Sequence, residues 1–550
     1  MKIFAVATAL ILSSIIPHTY ARTVTAAQFG AIPDDGKNDA DALRQAAKYC
    51  REHAGTTLVI APGVYDYADT TAQRIEREAI SGAYGRGPLD AQHRLFRHDG
   101  EYVKGLDLTG CKNINVEAEG ATLRMHGWYE VITLERAQNV KIRGLAVTYS
   151  RPPATNGRII ASGPEYFDVR LDPKCIYLDS IVTGRMYLYD TRRQCLYSTN
   201  TGGMTMLSRD IMRVKSSGNP AVGDFAVLRH GGHYRAAIFI KEARDITIEG
   251  VKILSHPGMG IVGHLSENIL IDGLQVVPEP GKYCSTNTDA THFTSCSGTI
   301  TIRNCTFRGN GDDCTNIHNY YYCVYPQSEK SAELRIEGAD LHALSLDYPL
   351  RGDTMIAVNR RNMKEMGRYV VAKADTSHAE WKVVVTFTQP LSIENPEECY
   401  MTNISRVPKA IITGNTVNSH FARAFLIKTP NAYIARNTIT NSTMTAIKLG
   451  GELSWREAGP VHDIIIEDNY IYNCSRDLPD SDPSCILTST EALETPPQAN
   501  HNIIIRNNIF VTDKPTAIML NDARDVRIEN NRINNDNFVK QNNCSNVIIR

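Results

Sequence analysis

The sequence carries almost no excess charge: 59 lysines and arginines stand against 60 aspartates and glutamates, a formal net charge of −1. With no surplus of either sign there is no long-range field to draw in nucleic acid or an anionic membrane. The expected partner is therefore uncharged or only locally charged. Beyond the N-terminus the chain lacks any apolar run long enough to span a bilayer. It also lacks CxxC pairs and histidine clusters at zinc-ligand spacing, so no metal and no other cofactor is expected. The thirteen cysteines are odd in number and form no compact disulfide framework. Cys305, Cys474 and Cys544 sit beside a recurring asparagine, which points to buried thiols in a core, with one or two bridges elsewhere.

What is present begins with an export signal over residues 1–21: Lys2, an apolar run from Ile3 to Ile16, and a cleavage site at Ala21 with Thr19 two before it. The mature chain is expected to be exported, to the periplasm, the cell surface or the medium.

The dominant feature is an internal repeat. CKNINVEAEGATL, AQNVKIRGLAVT, ARDITIEGVKIL, SENILIDGLQVV, SGTITIRNCTFR, VPKAIITGNTVN, PNAYIARNTIT, VHDIIIEDNYIY, HNIIIRNNIFV and ARDVRIENNRIN all read as a short alternating strand, a polar pair, an Asn or Gly, and a second short strand. Val251, Leu274 and Cys305 hold one corner position, and Asn415, Asn437, Asn469, Asn508 and Asn531 hold the same corner later. Apart from the 110 residues between Cys305 and Asn415, which hold the second break in the period, the intervals, 22 to 39 residues, leave no room for the helices of an α/β barrel. A strand pair with one apolar face is stable only when stacked, about 4.8 Å per coil. The fold class is therefore all-β, a right-handed parallel β-helix. Asn at the bend tolerates left-handed backbone, and its amide can bond the Asn of the next coil.

Two stretches break the period, and the expected organisation is 22–150, an N-terminal cap and first coils; 151–236, an inserted β-rich domain; 237–325, central coils; 326–406, a second, barrel-like insertion; and 407–550, C-terminal coils. Tyr166 to Leu171, Arg368 to Ala374 and Trp381 to Phe387 read as strands of the insertions. AAQFGAIPDDGKNDADALRQAAKYC reads as a strand, a turn and an amphipathic helix with Asp39 or Asp41 near its N-cap, suited to closing the end of the core.

The chemistry is expected just before the second insertion, in STNTDATHFTSCSGTITIRNCTFRGNGDDCTNIHNYYYC. Asp289 and Asp312 are 23 residues apart, one coil, which stacks them on one face. Asp313 follows directly, and Gly311 is read as the kink that turns both acids outward. Three acids at one point raise at least one pKa by mutual repulsion, as glycoside hydrolysis requires of a proton donor beside an ionised carboxylate. A calcium site and solvated turn acids are the alternatives. His292 and His318 flank the acids, with Asn316 between them as a further substrate-binding candidate. Trp455, in the loop GGELSWREAGP, offers an indole for the apolar face of a sugar. Glu452 and Glu457 of that loop are reserve acids, and Lys428 and Lys448, ending apolar runs in successive coils, can reach toward the sugar.

At these residues the chain resembles glycoside hydrolase family 110, the exo-acting α-1,3-galactosidases. The resemblance covers FGAIPDDG, GATLRMHGWYEVITLE with LAVTYSRP, GMGIVGHLSENILIDGLQV, DATHFTSCSGTITIRNCTF with GDDCTNIH, and ELSWREAGPVHDIIIEDNYIYNC. It implies inversion at the anomeric carbon, β-rich inserts on a β-helix, and aspartates matching Asp289, Asp312 and Asp313. The implied partner is a glycan ending in α-galactose; a homodimer is an allowed assembly. Cys314 and Thr315 depart from the apolar or small residue and Val that often follow the paired acids in the family, leaving branched and linear glycans both open. Polygalacturonases share the NTD and GDD, but no GHG or RIK follows here. A pectate lyase would need calcium and an Arg base, and a non-catalytic glycan-binding β-helix would bind without turnover.

Overall fold

The computed structural model describes residues 22–83, 101–176, 186–230, 234–337, 347–376, 382–477, 484–534 and 538–550. The export signal lies outside these residues, as does Trp381. Short strands rich in Ile and Val pair in parallel with the strand one coil before and one coil after. One column of the first sheet runs Ile114, Val140, Ile246, Ile269, Ile300, Ala410, and every member is buried. The alternation puts every second residue inside, each buried Ile or Val contributing about 1.5–3 kcal/mol. Among the described residues the coils build parallel sheets of 13 and 11 strands and a third of 12, in which one strand lies off the parallel path. The chain is a right-handed parallel β-helix.

The corner asparagines form the expected ladder. Asn437 Nδ2 donates to Asn469 Oδ1 at 2.9 Å and Asn469 Nδ2 to Asn508 Oδ1 at 2.9 Å, while Asn437 Nδ2 also reaches the Ile412 carbonyl at 3.0 Å. Each Oδ1 accepts, in addition, the backbone N–H of the previous Asn. The left-handed residue is not the ladder Asn but the one before it: Arg436, Asp468, Asn507 and Asn530 have φ of 54°, 57°, 56° and 54°. The ladder Asn side chain can then face inward and satisfy the backbone groups that the bend leaves unpaired.

Helix Ala40–Glu52 buries Leu43, Ala46, Ala47 and Cys50 against the first coils. Asp39 stands at its N-cap position, but its carboxylate accepts from Ile32 N instead, at 2.9 Å, and Asn38 Oδ1 takes the Ala40 N–H at 3.1 Å. A second helix, Thr70–Ser81, was not expected from the repeat; Asp69 caps it by accepting from Thr71 N and Ala72 N. Among the described residues the first insertion is an open antiparallel sheet of seven strands between Ala154 and Arg229, and the second closes into a barrel of six between Tyr322 and Asn403. None of the thirteen thiols is bridged, and eleven are buried. The expected one or two disulfides are therefore absent, because the cysteines occupy packing positions of the core. Among the described residues no helix is long and apolar enough to cross a membrane.

Asn437→Ala would strip the Asn415 N–H and the Ile412 carbonyl of partners in a dry interior. A loss of about 2–4 kcal/mol is expected, read by chemical denaturation, whereas Asn546→Ala, exposed in the last strand Ser545–Ile549, should change stability by about 0.5 kcal/mol or less.

Candidate active site

The candidate residues meet on the outer face of the 12-stranded sheet, around strands Thr291–Thr294, Thr315–Tyr320 and Phe425–Ile427. Thr291 pairs with Thr315, an offset of 24, and His292 with Asn316. The backbone continues this register: Ala290 N donates to Asp313 O at 3.0 Å and Cys314 N to Arg423 O at 3.0 Å. It is therefore Asp313, rather than Asp312, that stands over Asp289, and Arg423 stands over Asp313 on the next coil. Asp312, one residue earlier, is half-buried beside them.

The turn carrying Asp312 is held from the first insertion. Tyr187 OH donates to Gly311 O at 2.5 Å, and the Arg229 guanidinium donates to Gly311 O at 3.0 Å and to Asn287 O while lying over the Tyr187 ring. Gly311 is needed for space, not for a kink: a Cβ there would sit 2.4 Å from Asn287 O and 2.8 Å from Arg229 Nη1.

Loop Gly450–Gly459 folds over the same face, its Glu457–Ala458 strand pairing antiparallel with Asn319 and Tyr320. Two glutamates thereby point inward. Glu452 meets Lys448 Nζ at 2.8 Å, Arg423 Nη2 at 3.0 Å and Lys428 Nζ at 3.1 Å. Glu457 accepts from Lys428 Nζ and, at 3.1 Å, from Asn316 Nδ2. Burial would raise both carboxyls, but their partners win: His318, in its charged form, and Lys428 draw Glu457 down to about 2, and Lys428, Arg423 and Lys448 hold Glu452 well below the carboxylate range. Lys428, fully buried, is disfavoured as a cation by burial and restored by Glu457 and Glu452, which push its pKa up.

The two stacked aspartates are both raised, against different partners. Burial, reinforced by the charges of Asp312 and Glu457, pushes Asp289 far above the carboxyl range. Burial also raises Asp313, against the pull of Arg423 and with the repulsion of Asp312 and Asp289. Asp313 Oδ1 accepts the Arg423 N–H at 2.8 Å. Asp289 Oδ2 lies 2.6 Å from His292 Nδ1, and His292 Nε2 lies 2.8 Å from His318 Nε2. A buried, desolvated acid beside an ionised neighbour is the arrangement acid–base catalysis needs.

The structure thus brings together Asp289, Asp312, Asp313, His292, His318, Asn316, Lys428 and Glu452. Trp455 is left 41% exposed in the short turn Leu453–Trp455, while the flanking Glu452 and Glu457 are the residues of that loop that enter the cluster. Ligand atoms of His292, His318 and Glu457 lie within 4.8 Å of one another. Their inward atoms are already bonded to each other or to the Lys428 ammonium, a positive charge that opposes a cation between them. Arg423 is the main omission from the sequence reading, and the signal was there. Aligning Cys305 with Asn415 brings Asp313 onto Arg423 once the second insertion is excised. Arg229 and Tyr187 belong to the non-repeating insertion and carry no such signal.

A profile described as the right handed beta helix region matches residues 400–550. Solved structures similar to this chain include the A-module of mannuronan C-5 epimerase AlgE4 from Azotobacter vinelandii, 9% identical over 96% of this chain and 97% of that one at a TM-score of 0.41. Another is a hyperthermoactive exopolygalacturonase from Thermotoga maritima, 12% identical over 96% and 92% at 0.45. The class is a β-helix with β insertions whose outer sheet face carries a buried acid–base cluster. Within that class the chain is similar to alpha-1,3-galactosidase B of Bacteroides thetaiotaomicron, 25% identical over 89% of this chain and 82% of the relative. It is also similar to alpha-1,3-galactosidase A of Shewanella woodyi, 24% over 93% and 85%, and to alpha-1,3-galactosidase A of B. thetaiotaomicron, 25% over 94% of each. The resemblance to glycoside hydrolase family 110 therefore extends along nearly the whole chain.

Lys428→Met would leave Glu452 and Glu457 buried without their shared cation, at an expected loss of about 3–5 kcal/mol near pH 7. Both glutamates have depressed folded-state pKa values, so their contribution is complete above the ordinary value of 4.5 and disappears as pH falls toward about 2. The gap between variant and wild type in denaturant unfolding should accordingly narrow across that range.

Proposed function

We propose that this chain is a glycoside hydrolase that removes terminal, non-reducing α-1,3-linked galactose from glycans, with inversion. The observation that carries the reading is the acidic column Asp289–Asp313 with Asp312 alongside, one acid desolvated against a histidine and another bonded to the Arg423 backbone. One carboxyl protonates the glycosidic oxygen; another, ionised, takes a proton from the water that attacks the anomeric carbon. The names of the relatives support the substrate class, and a signal over residues 1–21 suits an enzyme acting on glycans outside the cell.

The charge balance favours a neutral sugar over a uronate. Arg423, Lys428 and Lys448 each face Glu452, and Arg423 also faces Asp313 at 3.9 Å. These cations are already paired with acids of the cluster, which leaves little positive charge for the carboxylate of a pectin fragment. The inward loop with Glu452 and Glu457 closes the sheet face on the side of the later coils, consistent with binding a chain end.

The test is incubation with α-1,3-galactobiose, a β-galactoside and oligogalacturonate, with NMR of the first anomer released. β-Galactose from the α-linked substrate alone is expected; α-galactose first would overturn inversion, and cleavage of oligogalacturonate alone would overturn the substrate class. Asp312→Asn and Asp313→Asn should each lower kcat by about a hundredfold or more with the unfolding midpoint nearly unchanged. Wild-type turnover in either variant removes that residue from the scheme.

A further inference from the structure

Beside the acid cluster, where the second insertion rests on the coils, lies a second buried group of oxygens. Both carboxylate oxygens of Asp347, Ser295 Oγ and Tyr322 Oη are buried, and among the described residues none makes a well-formed hydrogen bond. Ser295 follows strand Thr291–Thr294 of the solenoid, Tyr322 opens the first barrel strand Tyr322–Ser328, and Asp347 belongs to the insertion. Ser295 faces the Tyr322 hydroxyl, and of the charged groups around that hydroxyl Asp347 acts on it most. Burial pushes the Tyr322 phenol far above its usual range, so it adds no charge of its own.

A buried carboxylate with both oxygens bare is costly unless its charge is met. The neighbouring bases do not meet it. His264 Nδ1 is 3.9 Å from Asp347 Oδ2 and is already bonded to Thr294 Oγ1 at 2.5 Å. Burial lowers the His264 pKa as well, which leaves the ring uncharged near neutral pH. Lys241 lies 3.5 Å from Glu242, and Arg406 lies 3.1 Å from Asp353. Asp353, the other acid acting on Tyr322, also accepts from Asn403 Nδ2 at 2.8 Å. One negative charge, that of Asp347, is therefore left over. Water satisfies lone pairs but leaves that charge whole in a medium of low polarity.

We propose that Asp347, Ser295 and Tyr322 form a binding site for an alkali-metal cation, with Asp347 as the anionic ligand and the two hydroxyl oxygens as neutral ones. The chemistry of the donors selects the ion. They are all oxygen, which disfavours zinc and copper. Calcium takes about six to eight oxygens and would leave a buried positive surplus beside a single carboxylate. The ion would join the root of the barrel to the coil beneath it. Ser295 N donates to the His318 carbonyl at 3.0 Å, and Thr294 pairs with His318, so this coil is the one on which the acid cluster is built.

Thermal unfolding in sodium or potassium chloride, compared with tetramethylammonium chloride at equal ionic strength, tests the site, because the organic cation is too large to enter. Tm should be higher in at least one alkali chloride by about 2 °C or more and should climb with its concentration. Asp347→Asn should erase the difference. Equal Tm values in all three salts, or a difference that survives in Asp347→Asn, overturns the proposal. A gain from calcium that a chelator removes, with none from sodium or potassium, overturns the assignment of charge. Wild-type crystals soaked in thallium(I) acetate give a reading that stands even where the Asn variant folds poorly. An anomalous peak within coordination distance of Asp347 and Ser295 is expected, and no peak there overturns the site. Neither measurement uses a substrate, so the result is independent of the glycosidase reading.

Discussion

Everything at the site depends on the backbone pairing between successive coils. A parallel ladder fixes neighbours about 4.8 Å apart and permits no drift along the strand without flipping inward and outward faces. Two residues far apart in the chain are therefore held as closely as the hydrogen bonds between them. Asp313 and Arg423 are separated by 110 residues, yet Cys314 N to Arg423 O and Thr315 N to Ala424 O leave them no freedom to separate. Acid–base chemistry needs side chains on rigid elements, and here the rigidity is that of the sheet itself.

The same constraint explains where the insertions attach. A bare sheet face is wet, and its acids would keep ordinary pKa values. The second insertion continues directly from the strand that ends at Tyr320; Thr402 donates to Asn319 Oδ1 at 3.0 Å, and Tyr320 meets His318 edge-on at 4.9 Å. The first grips the Gly311 turn through Tyr187 and Arg229. Together with the Gly450–Gly459 loop, these additions exclude water from a face on which His292, Asn316, His318, Lys428 and Lys448 are all buried. Desolvation is the first cause of the raised acids and of the lowered His318, so the insertions act on the chemistry through the dielectric and through direct bonds alike.

The repeat was legible because its signal is physical: alternating Ile and Val with a polar bend can only be stacked, and the Asn column appears at a fixed offset. That the acids and the two histidines share one face was legible for the same reason. The register was not: a 23-residue spacing suggested Asp289 over Asp312, while the ladder adopts 24, from the Gly311 N–H on the Thr286 carbonyl to the pairing of Thr291 with Thr315. Nor could sequence show that Gly311 yields space to an arginine from an insertion, that Asp39 would serve Ile32, or that Trp455 would stay outside while its glutamate neighbours turned in. Each of these depends on contacts between segments with no common period.

Asp289 and Asp313 are chemically identical, equally buried and one coil apart, so any difference in their protonation comes from their partners. Asp313 accepts a backbone N–H, which cannot give up its hydrogen, and faces a guanidinium that stays charged; both favour the ionised form. Asp289 faces a ring nitrogen of His292 instead, at 2.6 Å. The asymmetry originates in a single ladder step: Arg423 stacks on Asp313, and the coil on the other side of Asp289 places Met259 there instead.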